Sequence, residues 1–178
     1  MRKYDAVFFD LDGTLSESGE GILWCVRRTI EDLKIVVPEN FRLESFIGPP
    51  LADSFYRLGL DDEKVKFGVK TYKSYYDTKG KYMNKAYDGI KELLERLREK
   101  GYKLGVATSK YELFARQIID NIGLLQYFDF VSGATANAER QKKIDVLNYG
   151  IKNLGATPEN SALIGDTKFD AEGARLCG

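Results

Sequence analysis

The sequence predicts an α/β fold: a doubly wound, Rossmann-like parallel sheet core with a helical cap subdomain inserted after the first strand. Three observations predict it. Short apolar segments alternate with amphipathic helical patterns. Three of those segments end in Asp or Thr. One long interval between the first and second segments carries helical spacing only.

Ala6-Val7-Phe8-Phe9 is the first buried strand and closes on Asp10. Leu104-Gly105-Val106-Ala107 leads into Thr108, and Phe128-Asp129-Phe130-Val131 runs into Ser132-Gly133. Ala162-Leu163-Ile164-Gly165 ends at Asp166. Helical patterns separate the later strands. Ile90, Leu93, Leu94 and Leu97 follow the i, i+3, i+4, i+7 rule, with Gly101 as a stop. Phe114, Ile118 and Ile122 repeat before Gly123, and Ile144, Leu147, Ile151 and Leu154 before Gly155. A sheet of this kind takes its ligand beyond the carboxyl ends of the strands, where the polar residues above lie.

The interval from Ser16 to Lys85 is roughly 70 residues, against the dozen or so that a crossover connection needs. Ile22, Val26, Ile30 and Leu33 have helical spacing there, and Tyr72 to Tyr76 is an aromatic-rich stretch at helical register. Pro38, Gly48-Pro49-Pro50 and Gly59 punctuate it. The expected division is therefore a core of residues 1–15 and 86–178 with a helical cap of residues 16–85.

Composition removes several function classes. Lys+Arg and Asp+Glu are equal at 27 each, so no global basic field exists to gather nucleic acid or anionic lipid. No apolar run is long enough to span a membrane, and the N-terminus reads as a first strand rather than a signal peptide. Cys25 and Cys177 form no motif, which suits a reduced, cytoplasmic compartment. The chain has no histidine. Ser-His-Asp triads and most catalytic zinc sites are excluded, and acid–base chemistry falls to carboxylates, Lys, Tyr or Cys.

Four stretches carry chemistry. In Asp10-Leu11-Asp12-Gly13-Thr14 a turn at Gly13 can aim both carboxylates into one crevice. A carboxylate is a competent nucleophile toward phosphorus, and a second acid two residues on can protonate a leaving oxygen and later activate water. Taken alone, the same letters also describe a solvated surface turn; the buried strand before them decides against that. In Gly165-Asp166-Thr167-Lys168-Phe169-Asp170, two acids one helical turn apart can reach the same site. Two carboxylates ~5 Å apart at an effective dielectric of ~20 repel by about 3 kcal/mol. Four together almost require a divalent cation or protonation, and Mg2+ favours a few carboxylates with waters and phosphate. Thr108-Ser109-Lys110 offers a hydroxyl and backbone N–H groups at an expected helix start, a phosphate cradle or an ordinary N-cap. In Arg140-Gln141-Lys142-Lys143 a lysine can balance the charge of nucleophile and phosphate. Lys143 is the choice; Lys142 remains an alternative.

These four stretches, in this order, resemble the motifs of the haloacid dehalogenase superfamily, and the run from Ala107 to Gly133 resembles its phosphoglycolate phosphatase-like branch. So does Phe46-Ile47-Gly48-Pro49-Pro50-Leu51 in the cap. The resemblance implies a magnesium-dependent phosphatase acting on a small phosphorylated metabolite through an aspartyl-phosphate. It makes Asp10 the nucleophile, Asp12 the general acid/base and Lys143 the neutralising cation. Thr108, Ser109 and Gly13 would hold the phosphoryl group. Asp10, Asp12 through its backbone carbonyl, Asp166 and Asp170 would form or support the metal site. Phosphoglycolate, nucleoside monophosphates and small sugar phosphates are the candidate substrates, with specificity near Gly48, Pro49, Pro50 and Arg57.

Relatives with other chemistry fit less well. Dehalogenases of the family lack the second acid that Asp12 supplies, and sugar phosphomutases of the same fold place a histidine in the cap. A receiver-type signalling domain shares a phosphorylated Asp, magnesium, Thr/Ser and Lys, but not the Asp-x-Asp-Gly-Thr spacing or the long insertion. A non-catalytic binding domain is the remaining alternative, because family members usually continue beyond Gly173-Ala174-Arg175-Leu176-Cys177-Gly178 into a further strand and helix. Ala162–Gly165 is therefore expected to be a bare sheet edge. Either a partner chain covers it by self-association, or the sequence is a shortened form of a longer protein.

Overall fold

The structure, a computed structural model, describes residues 3–47, 49, 51–136 and 139–178. Gly48 and Pro50, two of the positions expected near the specificity region, lie outside the described residues. In chain order the elements are β1 (Ala6–Phe9), β2 (Ser16–Glu17), α1 (Gly19–Asp32), α2 (Leu51–Arg57), α3 (Asp62–Thr78) and β3 (Lys85–Ala86). Then follow α4 (Ile90–Glu99), β4 (Lys103–Tyr111), α5 (Glu112–Asn121), β5 (Phe130–Ala134), α6 (Lys143–Asn153), β6 (Ser161–Ile164) and α7 (Lys168–Cys177). Two compact units result: Met1–Glu17 with Lys85–Gly178, and Ser18–Asn84.

The first unit is the expected α/β core. Its sheet has the order β5-β4-β1-β6, with β1 paired in parallel to both β4 and β6, and β4 to β5. β1 reads as a continuous apolar run because helices and sheet bury it on both faces. Phe8 faces α6 with Ala6, Ala107, Val146, Leu147, Ile151 and Leu154; the pleat turns Val7 and Phe9 the other way. Two glycines make room for the Phe8 ring. A Cβ on Gly105 would lie 2.4 Å from Phe8 Cε1, and one on Gly150 2.8 Å from it. Glycine inside α6 costs about 1 kcal/mol relative to alanine, and the fully buried ring is what it admits.

Two boundaries differ from expectation. β4 continues four residues beyond Ala107, since Tyr111 pairs with Ala134. Thr108-Ser109-Lys110 therefore lies in a strand, not at a helix start. β5 begins at Phe130, one residue after Asp129, whose carboxylate accepts Leu104 N–H and whose own N–H donates to Leu104 O, both at 2.8 Å. The helix stops fall where expected, with Gly101, Gly123 and Gly155 all at positive φ. β6 forms one edge of the sheet, and Ile164 at its end is 42% exposed.

The second unit is helical. Its α1 buries Gly21, Cys25, Val26 and Thr29. Of the expected stripe Ile22, Val26, Ile30 and Leu33, only Val26 is fully buried. Close approach decides this: a Cβ on Gly21 would meet the Gly80 carbonyl oxygen at 2.2 Å, so small residues rather than branched ones face inward. On α3, Tyr72 and Tyr76 are buried and stack with centroids 5.7 Å apart, while Tyr75 meets Trp24 edge-on and donates to Asp32. The Arg57 guanidinium donates to the Ser45 carbonyl and to Ser54 Oγ, both at 2.8 Å, so it braces α2 inside this unit. No helix among the described residues is long and apolar enough to cross a membrane.

The chain passes between the units twice, and both passages lie side by side. β2 pairs antiparallel with β3, Ser16 opposite Ala86 and Glu17 opposite Lys85. The Lys85 ammonium lies 2.7 Å from Glu17.

Candidate active site

Asp10 follows the last residue of β1, and its N–H donates to Ile164 O of β6 at 2.9 Å. That bond carries the sheet pattern one residue past the strand and points the Asp10 side chain into the crevice beyond the strand ends. The next residues turn sharply: Thr14, Leu15 and Ser16 all donate to Leu11 O, and Gly13 N–H donates to Ser16 O at 3.0 Å. Gly13 sits at φ +81, and a Cβ there would fall 2.2 Å from Asp166 Oδ2. Glycine is thus required twice over, for the turn and for the approach of the β6 acid. The N–H of Gly13 is engaged in the turn itself, which is its evident use here.

Lys143 opens α6 and runs inward. Its Nζ lies 2.8 Å from Asp10 Oδ1 and 2.7 Å from Asp170 Oδ1, and donates to Ala107 O at 3.0 Å. Lys142 is the exposed N-cap of the same helix, so the geometry separates the two lysines. Asp170 reaches the ammonium from the first turn of α7, where its Oδ2 also accepts Thr167 N–H at 3.0 Å and Thr167 Oγ at 2.6 Å. Asp10 and Asp170 are both buried. Burial pushes the Asp10 carboxyl above the usual carboxylate range; Lys143 pulls the other way and Asp170 adds to the rise. Burial acts in the same sense on Asp170, but there the bonds from Lys143 and Thr167 outweigh it and hold the carboxyl below its usual range.

Oxygens of Asp10, Asp166 and Asp170 all lie within 4.8 Å of one another. The Asp12 carboxylate stands outside that group. Its Oδ2 is 2.8 Å from Lys110 Nζ. The four-carboxylate cluster expected from sequence is therefore a group of three carboxylates, two of them paired with the Lys143 ammonium, with Asp12 turned to a second ammonium. Asp10 Oδ1 and Asp170 Oδ1 are buried, with the Lys143 ammonium 2.8 and 2.7 Å away as the ion-pair partner of each. Buried carboxylate oxygens beside a third acid are a donor set that suits a hard divalent cation.

Thr108 is buried and its Oγ accepts Lys110 N–H at 3.2 Å; Ser109 is exposed. Both lie on the β4 extension. A bulge accommodates them, because four steps on β4 from Ala107 to Tyr111 match two on β5 from Ser132 to Ala134.

Three contributors to the site escaped the sequence reading. Lys110 was quoted only as part of a motif. Gly165 and Gly173 carried no role, yet a Cβ on Gly165 would lie 2.3 Å from Asp170 Cγ, and one on Gly173 2.6 Å from Lys143 Cγ. The available signal was a glycine immediately before Asp166 and another three residues after Asp170.

A family model for haloacid dehalogenase-like hydrolases matches residues 7–178. The chain belongs to the haloacid dehalogenase-like hydrolase family. It is 37% identical over 172 residues to tyrosine-protein kinase PtkA of Mycobacterium tuberculosis, across 97% of this chain and 59% of that one. The chain thus spans less than two thirds of that relative's length. It is 36% identical to a 5'-nucleotidase of Pseudomonas aeruginosa, across 97% of this chain and 78% of that one. A haloacid dehalogenase-like family hydrolase from Streptococcus pneumoniae superposes with a TM-score of 0.90 at 35% identity, covering all of this chain and 83% of that one.

Proposed function

We propose that this chain is a magnesium-dependent phosphatase of small phosphomonoesters, working through an aspartyl-phosphate on Asp10. The observation that carries the reading is the Lys143 ammonium held between the buried Asp10 and Asp170 carboxylates. A carboxylate nucleophile beside a fixed cation can approach a phosphate dianion that it would otherwise repel. An Asp10 oxygen forms the new bond to phosphorus as the bond to the ester oxygen breaks, and Asp12 gives the departing oxygen its proton. Water then attacks phosphorus, the bond to Asp10 breaks with its electron pair returning to the carboxylate, and Asp12 takes the proton of the water. Thr108 and Ser109 lie on the last part of β4, from which they can receive the phosphoryl oxygens.

Asp10, Asp166 and Asp170 are the residues that would hold or support Mg2+, with Asp12 contributing its backbone carbonyl by family resemblance. A bound cation there would neutralise phosphoryl charge. The nucleotidase relative makes nucleoside monophosphates the first substrates to try, beside phosphoglycolate and sugar phosphates. A cytoplasmic setting fits two unpaired cysteines.

The test is phosphate release from a panel of phosphomonoesters with Mg2+, repeated in chelator and with Asp10→Asn. Release that depends on Mg2+ and disappears in the variant supports the reading; near-normal turnover by Asp10→Asn overturns the covalent mechanism. The kinase relative motivates a second arm. Transfer of label from ATP to tyrosyl peptides, with no release from any monoester, would put phosphoryl transfer to tyrosine in place of hydrolysis.

A further inference from the structure

The Asp12–Lys110 ion pair lies outside the three-carboxylate group, and the scheme above gives Lys110 no part. Three features show that it is built rather than incidental. First, Lys110 is placed by the β4 bulge, which re-aims residues that a regular strand would send to alternate faces. Second, its backbone is fixed on several sides. Its N–H donates to Thr108 Oγ, and its carbonyl oxygen lies where a Cβ on Gly133 would come within 2.7 Å. Gly133 is itself clamped: its N–H donates to Glu112 at 3.2 Å, and Arg140 donates to both the Gly133 carbonyl at 2.7 Å and Glu112 at 2.6 Å. Third, the pair fixes one oxygen of Asp12 and leaves the other free. Oδ2 faces the ammonium at 2.8 Å, while Oδ1 is buried and accepts no hydrogen bond. The Lys110 side chain is only 13% exposed.

We infer that Lys110 is a positioning residue for Asp12, holding its carboxylate so that Oδ1 can receive a proton from the water that hydrolyses the aspartyl-phosphate. The inference rests on the phosphatase reading. In the step concerned, the water oxygen bonds to phosphorus, the bond from phosphorus to the Asp10 oxygen breaks, and Asp10 recovers the electron pair. The water proton passes to Asp12 Oδ1. Lys110 touches neither phosphorus nor water; its ammonium fixes the direction from which the base acts. A carboxylate freed from that contact rotates, and a base displaced from its line loses rate without any change in substrate binding.

The experiment is steady-state and burst kinetics of wild type, Lys110→Met and Lys110→Arg with Mg2+ and p-nitrophenyl phosphate. Nitrophenolate leaves without needing Asp12 as acid, so kcat/KM reports attack by Asp10 and kcat reports loss of the phosphoryl group from Asp10. Lys110→Met is expected to lower kcat by at least about tenfold, to keep kcat/KM within about threefold, and to show a burst near one equivalent of nitrophenolate. Lys110→Arg should recover most of the loss, and in an Asp12→Asn background Lys110→Met should add nothing further. Equal falls in kcat and kcat/KM overturn the inference in favour of a structural role, and a raised KM at unchanged kcat overturns it in favour of substrate binding. If Lys110→Met fails to fold, Lys110→Gln is read by the same criteria. A wild-type chain that releases no phosphate from any ester overturns the phosphatase reading, and this inference with it. An active wild type without the expected split overturns this inference alone.

Discussion

Lys143 reaches Asp10 only because residue 173 has no side chain. A Cβ on Gly173 would fall 2.6 Å from Lys143 Cγ and 2.9 Å from Lys143 Cβ. The lysine stem cannot easily step aside, since its head is fixed by Asp10, Asp170 and the Ala107 carbonyl. Gly173→Ala gains about 1 kcal/mol of helix propensity in α7 and loses about 1–3 kcal/mol to overpacking. The melting temperature should therefore move little. Activity should fall much further, by up to about 100-fold, because the ammonium is displaced from its line. Melting curves and kcat measured on the same preparation check this; parallel losses in both would contradict it.

Removing the ammonium should have a pH signature. In Lys143→Met two buried carboxylates face each other without a cation, and loss of one partner of a buried pair costs about 3–5 kcal/mol. In the wild type, the lowered Asp170 carboxyl contributes stability that is present above the ordinary carboxylate range and is lost as pH falls through its depressed value. Asp10 works oppositely: its raised carboxyl favours the fold while protonated, and that contribution goes as pH rises through the raised value. Without Lys143 both groups follow the Asp10 pattern. The melting-temperature gap between wild type and variant should be widest near neutral pH and narrow on acidification toward pH ~4. A gap independent of pH would show that the ammonium acts through packing alone.

The fold class and the four chemical stretches were legible because each depends on local pattern: an apolar run, a helical period, an acid at a strand end. What escaped depends on neighbours distant in sequence. Nothing around Lys142 and Lys143 tells which is the N-cap and which the first inward residue; the choice follows from the register of α6 against α7. The strand through Thr108, Ser109 and Lys110 resembles a helix start in composition, and only pairing of Tyr111 with Ala134 keeps it extended. Asp12 could be placed near Asp10 by spacing, but not turned away toward Lys110. The helical spacing of Ile22, Val26 and Ile30 falls within α1, but its buried face also uses Gly21, Cys25 and Thr29, which an apolar-period search passes over.

The residues from Ser18 to Asn84 are proposed to move as a lid. Their only chain connections to the core run through the β2–β3 ribbon, which has two residues on each strand. A ribbon so short resists bending weakly, and closure would exclude water around a transferring phosphoryl group. Structures with and without a phosphate mimic should differ mainly by a rigid rotation of this unit about Ser16–Glu17 and Lys85–Ala86. Identical angles around an already closed site would count against gating.

Self-association through β6 is proposed as well. Among the described residues no strand lies on the outer side of β6, and Ile164, Phe169 and Leu176 are 42%, 48% and 53% exposed along β6 and α7. Such an edge invites pairing with another chain. Light scattering across a concentration series should show the 178-residue chain growing beyond monomer mass. Phe169→Lys with Leu176→Glu should shift that growth to higher concentration. A strictly monomeric chain at all concentrations would set the proposal aside.

The β2–β3 ribbon also bears on how the chain finds its fold. β1 must pair with β4, and Ala6 lies 97 positions before its partner Lys103. If residues 18–84 close on themselves first, the ribbon brings Glu17 to Lys85 and shortens the remaining route by roughly two thirds. Loop closure then becomes easier by about 1 kcal/mol, enough to speed sheet formation several-fold. An insertion that looks like a burden on a parallel sheet would in that order act as a splint, drawing the two halves of the core together before their first long-range contact forms.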